Sequence, residues 1–280
     1  MKKKVLVITG GHPFEKDPFF EIFNSFENVD WFHEKHPKAL SSLNPEKCDD
    51  IDAIVFYDIP GIELKRNTDS PVEVSDPTSE YKENFELLLK AGQGLVFLHH
   101  AIAGWPSWER YADVIGGRFH YQPGSLHGVN YPDSGYRFDT TQEIRVVDPD
   151  HPICEGIPES FTITDEAYIC PIFEDSITPV LRSNFDFKDS SNFYSSSLAM
   201  KGEMNSNEIW EHPKGSDLIA WVRHESLSPI TYIQLGDGPV AYADTNFRKL
   251  LSNSINWVSS KEAKNWVMSE RLNQITDQAD

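Results

Sequence analysis

The chain has 280 residues, enough for one large α/β domain or two smaller ones, and its 39% hydrophobic and 25% charged residues mark a globular protein. With 25 Lys and Arg against 44 Asp and Glu its formal charge is −19, and no basic stripe interrupts that field, which argues against nucleic acid, an anionic membrane and, more weakly, a highly anionic substrate. Cys48, Cys154 and Cys170 are too scattered for a disulfide framework or a CxxC pair, and no stretch approaches the ~18 apolar residues of a membrane span, so a cytoplasmic protein is expected.

Lys4 to Thr9 reads as a first strand, stopped by Gly10-Gly11-His12-Pro13. Phe19, Phe20, Phe23 and Phe26 recur at helical spacing and predict a crossover helix over residues 17–27. Val29 to Phe32 is a second strand. Ile51 to Tyr57 is a third, apolar enough to be covered on both faces as parallel strands are. Asp58 to Ser75 reads as a polar loop. Asp76-Pro77 predicts the start of a helix with Tyr81, Phe85, Leu88 and Leu89 as its apolar stripe and Gly92 as its stop. The short apolar run Leu95 to Leu98 follows and ends in His99-His100.

Trp108, Tyr111, Ala112 and Ile115 predict a short helix ended by Gly116-Gly117. Residues 120–138 are polar, aromatic and aperiodic and read as a long irregular loop. Glu143 to Val147 and residues 178–182 read as strands, whereas residues 184–214 show no element. Leu218 to Val222 and Ile230 to Leu235 are strong strands joined through Arg223-His224-Glu225-Ser226 as a hairpin. Phe247, Leu250, Leu251, Ile255 and Val258 define a helix packed on the sheet. Residues 1–258 then form the α/β domain, and 259–280 a peripheral, charged helix or tail. Strands alternating with helices predict a doubly wound α/β sheet.

VLVITGGH, GLVFLHHA, WERYADVIGGRF, DPDHPICEGIP, FTITDEAY and QLGDGPVAYADTNFRKLLSNSINWV occur in that order over residues 3–258. This series resembles the ThuA-like (trehalose utilisation) family, within the class I glutamine-amidotransferase-like superfamily. The resemblance implies a flavodoxin-like, doubly wound, mainly parallel sheet with extra strands in the C-terminal half, and a role around sugar metabolism. It also implies that His99 stands where the superfamily's amidotransferases carry a nucleophilic cysteine, so glutaminase activity is not expected. Asp237 stands where members of the family commonly carry histidine, leaving a carboxylate that can accept hydrogen bonds or bind a cation.

His99 is the first catalytic candidate, because a polar ring ending a central strand reaches the crevice where open α/β sheets bind ligands. The alternative is a core histidine satisfied by backbone groups. Glu166 is expected as base or ligand, and Asp237 as its partner. In a plain strand Asp165 and Glu166 would face opposite ways, so Asp165 is expected in support, or as a helix cap. His12, His100, Trp105, His120, Asp165 and Tyr168 are the candidate substrate-binding residues. His100 is expected to point away from His99 or lie on the turn. Trp105, Trp108 and Tyr168 offer flat faces for a sugar ring, although packing is the commoner fate of such rings. His127 is a further cover for the cleft, Arg118 reads as the balance of a local carboxylate or as a surface ion pair, and His224-Glu225 reads as a hairpin tip in preference to a site dyad.

No nucleotide cofactor is expected, since TGGHPF is not GxGxxG and no GK[ST] occurs. HExxH and HxH are absent, yet scattered His, Asp and Glu can converge on a divalent metal, which stays open. The leading reading is an enzyme acting on a small carbohydrate or carbohydrate derivative by His-centred acid–base chemistry, whether hydrolysis, elimination or isomerisation. A non-catalytic sugar-binding or assembly protein, a metal-dependent hydrolase and a homo-oligomer also stay open.

Overall fold

In the computed structural model, which describes residues 2–65, 68 and 71–277, the strands are β1 (Lys3–Gly10), β2 (Val29–Lys35), β3 (Ala53–Asp58), β4 (Ile62–Leu64), β5 (Val72–Val74), β6 (Gly94–Leu98), β7 (Gly124–Leu126), β8 (Val129–Tyr131), β9 (Gly135–Val146), β10 (Ser160–Ile169), β11 (Thr178–Ser183), β12 (Tyr194–Ser195), β13 (Leu218–Glu225) and β14 (Ser228–Ile233). The helices are α1 (Lys16–Asn24), α2 (Ala39–Ser42), α3 (Pro45–Cys48), α4 (Ser79–Ala91), α5 (Glu109–Ile115), α6 (Ser196–Met200), α7 (Pro239–Ala243), α8 (Thr245–Val258) and α9 (Lys261–Asp277).

One sheet carries the molecule, in the order β10-β9-β11-β13-β14-β6-β3-β1-β2, with β12 paired to β9. β14, β6, β3, β1 and β2 are mutually parallel. β13, β11, β9 and β10 extend the sheet antiparallel on the C-terminal side. This is a flavodoxin-like, doubly wound arrangement with added strands. Its inner parallel strands read as apolar runs because each feeds two cores. Val5 and Val7 of β1 join α1 and α8, whereas Leu6 and Ile8 join α4 and α5. Val96 and Leu98 divide from Leu95 and Phe97 in the same way.

The local signals account for most element ends. Gly92, in the left-handed conformation at φ 77°, closes α4 by donating to the carbonyls of Leu88 and Leu89. The N-cap of α4 is Thr78, whose hydroxyl accepts from Tyr81 N–H, and not Asp76 as the sequence suggested. β2 runs on to Lys35 because as an edge strand it needs no apolar run on both faces. The expected loop 58–75 contains the small β4–β5 pair, and the expected loop 120–138 contains the β7–β8 hairpin and the start of β9. Residues 184–214 hold β12 and α6. β13 continues through Glu225, so the hairpin turns at Ser226-Leu227, and Arg223 and Glu225 stand within the sheet. α9 packs through buried Ala263 and Val267, with Trp266 against Trp257. Among the described residues no helix is long and apolar enough to cross a membrane.

Candidate functional site

The carboxyl ends of β1, β3, β6 and β14 meet on one side of the sheet, where ligands bind in open α/β folds. β6 ends in a sharp turn: His99 adopts φ 39°, a left-handed conformation unusual for a residue with a side chain, and opens a 3-10 turn over His99–Ala103. That turn places both imidazoles on the same side. Their ring centroids lie 4.5 Å apart: of the two placements expected for His100, it lies on the turn and does not point away from His99.

β10 brings the carboxylates. Its pairing with β9 shifts register between Asp165 and Ala167, which face Thr140 and Arg137: β9 carries the extra residue, a bulge at Phe138–Asp139 opposite Glu166, with Asp139 at φ 50°. Asp165 and Glu166 both reach the site, Asp165 through the loop after β14 and Glu166 through His99. Asp165 is a latch: its carboxylate accepts from the N–H groups of Gly236 (2.6 Å), Asp237 (3.1 Å) and Glu166 (2.9 Å). Tyr57 donates to the Gly236 carbonyl (2.9 Å) and Tyr242 to that of Asp237 (3.0 Å), which fixes the same loop from its other side.

His99 sits at the centre. Its Nδ1 bonds the Gln234 carbonyl, its Nε2 lies 2.9 Å from Glu166 Oε2, and the same Nε2 is 3.5 Å from Asp237 Oδ1. A carbonyl only accepts, so Nδ1 carries a proton. Nε2 then faces two acceptors and must share a further proton with them. Burial alone would lower the His99 pKa, but the bonds and charges of Asp237 and Glu166 outweigh it and hold the ring well above an ordinary histidine. Burial pushes Glu166 up to about 7, with His99 opposing. Asp237 is the converse: burial would raise it, but the His99 bond and charge hold it below the usual range. Burial raises Asp165 to about 6 despite its backbone donors.

The ring of His99 is 0% exposed, so it does not itself open to solvent. What faces solvent is Asp237, whose side chain is 26% exposed, and His12, whose ring lies 3.9 Å from that of His100. Tyr168 stacks on His99 at 4.4 Å and its hydroxyl meets Nδ1 of His100 at 3.2 Å. Burial, followed by the neighbouring histidines, holds His100 well below an ordinary histidine.

Above this cluster lies a cleft of about 430 Å³, within the range of small-molecule pockets. His12, Asp165, Glu166, Tyr168 and Asp237 line it, together with Phe119, Tyr121, Tyr136 and Phe138. Ser196, Ala199 and Met200 of α6, with Met204, form one wall, which gives the segment 184–214 its place. A larger depression of about 990 Å³, lined by Glu143, Arg145, Arg182 and Lys188 among others, gathers no histidine.

Several candidates fall outside the cleft lining. Trp105 is buried against Tyr81, with its backbone N–H on Pro60, so its face is not open to a ligand. His120 is buried with its backbone N–H on the Ser134 hydroxyl and its ring on Tyr131. Trp108 packs on Phe85 and Tyr111. His127 pairs with Asp113 at the exposed β7–β8 turn. Arg118 is no surface ion pair: it is buried and donates to the carbonyls of Pro106 and Trp108. Tyr57, Gln234 and Tyr242 were not foreseen, although Tyr57 and Gln234 are polar residues ending apolar strands, as His99 is.

A family model described as trehalose utilisation (ThuA) matches residues 4–258. The chain belongs to the ThuA family. A ThuA-like protein of Parabacteroides merdae shares the fold with a TM-score of 0.66 at 13% identity, over 93% of this chain and 91% of that one. A ThuA-like protein of Bacteroides uniformis gives 0.58 at 17% identity over 92% of each chain. A cytoplasmic protein of Salmonella typhimurium gives 0.53 at 13% identity over 91% of this chain and 98% of that one. No curated protein matches the sequence. In this ThuA-family chain the turn after the central strand carries histidine, and the three cysteines are buried elsewhere.

Proposed function

We propose that the protein is a cytoplasmic enzyme that moves a proton on a small carbohydrate or carbohydrate derivative. Glu166 exchanges the proton, His99 shares it, and Asp237 and His12 meet the ligand. The observation that carries this reading is the single Nε2 of His99 held, just behind the cleft, between Glu166 and Asp237, which both line it. A carboxyl group titrating at about 7 is matched to proton transfer near neutrality.

Opposed-carboxylate hydrolysis is a poorer fit. Glu166 and Asp237 approach the same nitrogen, whereas a glycosidase needs its two carboxyl groups on either side of the bond it breaks. A one-sided array suits removal and return of a proton beside a carbonyl, that is, isomerisation or elimination. The test is incubation in D2O with aldoses, ketoses and oxidised sugars, followed by proton NMR. Wild type is expected to exchange a carbon-bound hydrogen. Glu166→Gln is expected to do so about 100-fold more slowly or worse. Exchange retained by the variant removes Glu166 from the role. Ligand binding without exchange in wild type favours a sugar-binding protein instead.

One observation favours a second reading, a divalent metal centre. Donor atoms of His99, His100 and Asp237 lie within 4.8 Å of one another. Each histidine has its Nδ1 tied back, to the Gln234 carbonyl and to the Tyr168 hydroxyl, as the far nitrogen of a metal-binding imidazole is held by a hydrogen bond. The donors suit zinc or manganese, and an ion there would replace the shared proton. Calorimetric titration with zinc or manganese tests this: stoichiometric binding lost in His100→Asn supports it, and absence of binding ends it.

A further inference from the structure

We infer that the cleft takes an uncharged glycoside bearing an apolar aglycone, and turns away sugar phosphates and sugar acids. The inference rests on the carbohydrate reading above and adds the chemistry of the two ends of the ligand.

The first argument is charge. Among the described residues, Glu15, Asp139, Asp165, Glu166 and Asp237 line the cleft and no Lys or Arg does. The imidazolium of His99 lies behind this surface and is already engaged by Glu166 and Asp237. An entering phosphate or carboxylate would lose its water and find no free Lys or Arg among the described lining residues. Glu15 and Asp139 are exposed at the mouth and add like-charge repulsion, in the same sense as the overall charge of −19.

The second argument is the mouth itself. Phe138 (40% exposed), Met204 (47%) and Val240 (65%) are large apolar side chains left in solvent, and all three border this one cleft. Apolar surface gathered at a rim marks where an apolar group is received. The floor has the opposite character. The half-buried carboxylate of Asp237, with the His12 side chain beside it in the lining, offers polar groups for hydroxyls. A molecule that satisfies both ends has hydroxyls on one part and an apolar group on the other, without an anion.

Isothermal titration of the full chain with phenyl β-glucoside, methyl β-glucoside, phenyl β-glucuronide and phenyl β-glucoside 6-phosphate tests this. Phenyl glucoside is expected to bind about tenfold more tightly than methyl glucoside, and both anionic forms at least about tenfold more weakly than phenyl glucoside. The double variant Phe138→Ser, Met204→Ser alters two exposed side chains. It is expected to abolish the phenyl advantage, so that phenyl and methyl glucoside bind alike, and a phenyl advantage retained in this variant contradicts the rim's role. Anionic forms binding as tightly as the neutral one, or no phenyl advantage in wild type, overturn the inference and leave the carbohydrate reading in place. No binding by any of the four overturns both.

Discussion

At the scale of single residues, the proton on His99 decides the behaviour of its neighbours. Removing the imidazolium leaves Glu166 and Asp237 buried or half-buried without their cation, and breaking a buried pair in this way costs about 3–5 kcal/mol. Asparagine tolerates the left-handed backbone at this position, so His99→Asn isolates the charge. The sign with pH follows from Glu166 and Asp165, whose folded pKa values lie above the free values of 4.5 and 3.8. For such groups ionisation opposes folding, so stability is lost as pH rises through about 6 and 7. Without His99 that loss deepens. Urea denaturation of His99→Asn is therefore expected to show a larger deficit at pH 8 than at pH 5, and an equal or smaller deficit at pH 8 contradicts the assignment. His99 was legible because a polar ring ending an apolar strand has few destinations. Trp105 and His120 misled because an aromatic or imidazole near a site satisfies its packing needs equally well in the core.

At the scale of elements, two adjacent carboxyl groups of β10 serve one site. Asp165 bonds the loop after β14 and Glu166 bonds His99, while the extra residue of the β9–β10 pairing lies in β9, at Phe138–Asp139. Nothing in the sequence GYRFDTT announces a bulge, since it arises from pairing with a strand distant in sequence. For the same reason the β7–β8 hairpin and α6 were missed: their stability comes from tertiary contacts rather than from a periodic pattern. Asp165 ties β10 to the loop after β14 through backbone donors on two segments. Asp165→Asn keeps one acceptor oxygen and orphans at least one N–H, at a cost of about 1–3 kcal/mol. Hydrogen exchange at the Gly236 and Asp237 amides is expected to accelerate in this variant, whereas unchanged protection would show that the loop is held by Tyr57 and Tyr242 alone.

At the scale of the whole molecule, the parallel half of the sheet was readable because its strands are apolar without alternation, and the helices between them carry one stripe each. The antiparallel half was less so: strand existence showed in Glu143 to Val147 and residues 178–182, but which strand borders which did not, because pairing partners lie far apart in the chain. The site lies where the two halves meet, at β14 and its loop, with β10 reaching across from the far edge. The most direct test is therefore whether that convergence holds a cation on His99. Nitrogen-15 NMR of histidine-labelled protein at pH 7.5, with the His99 signals assigned by their loss in His99→Asn, reads both ring nitrogens. The account predicts Nδ1 and Nε2 both protonated in wild type, and a neutral ring when Glu166 and Asp237 are replaced by Gln and Asn. A neutral His99 in the wild-type protein at pH 7.5, with Nε2 unprotonated, would contradict it.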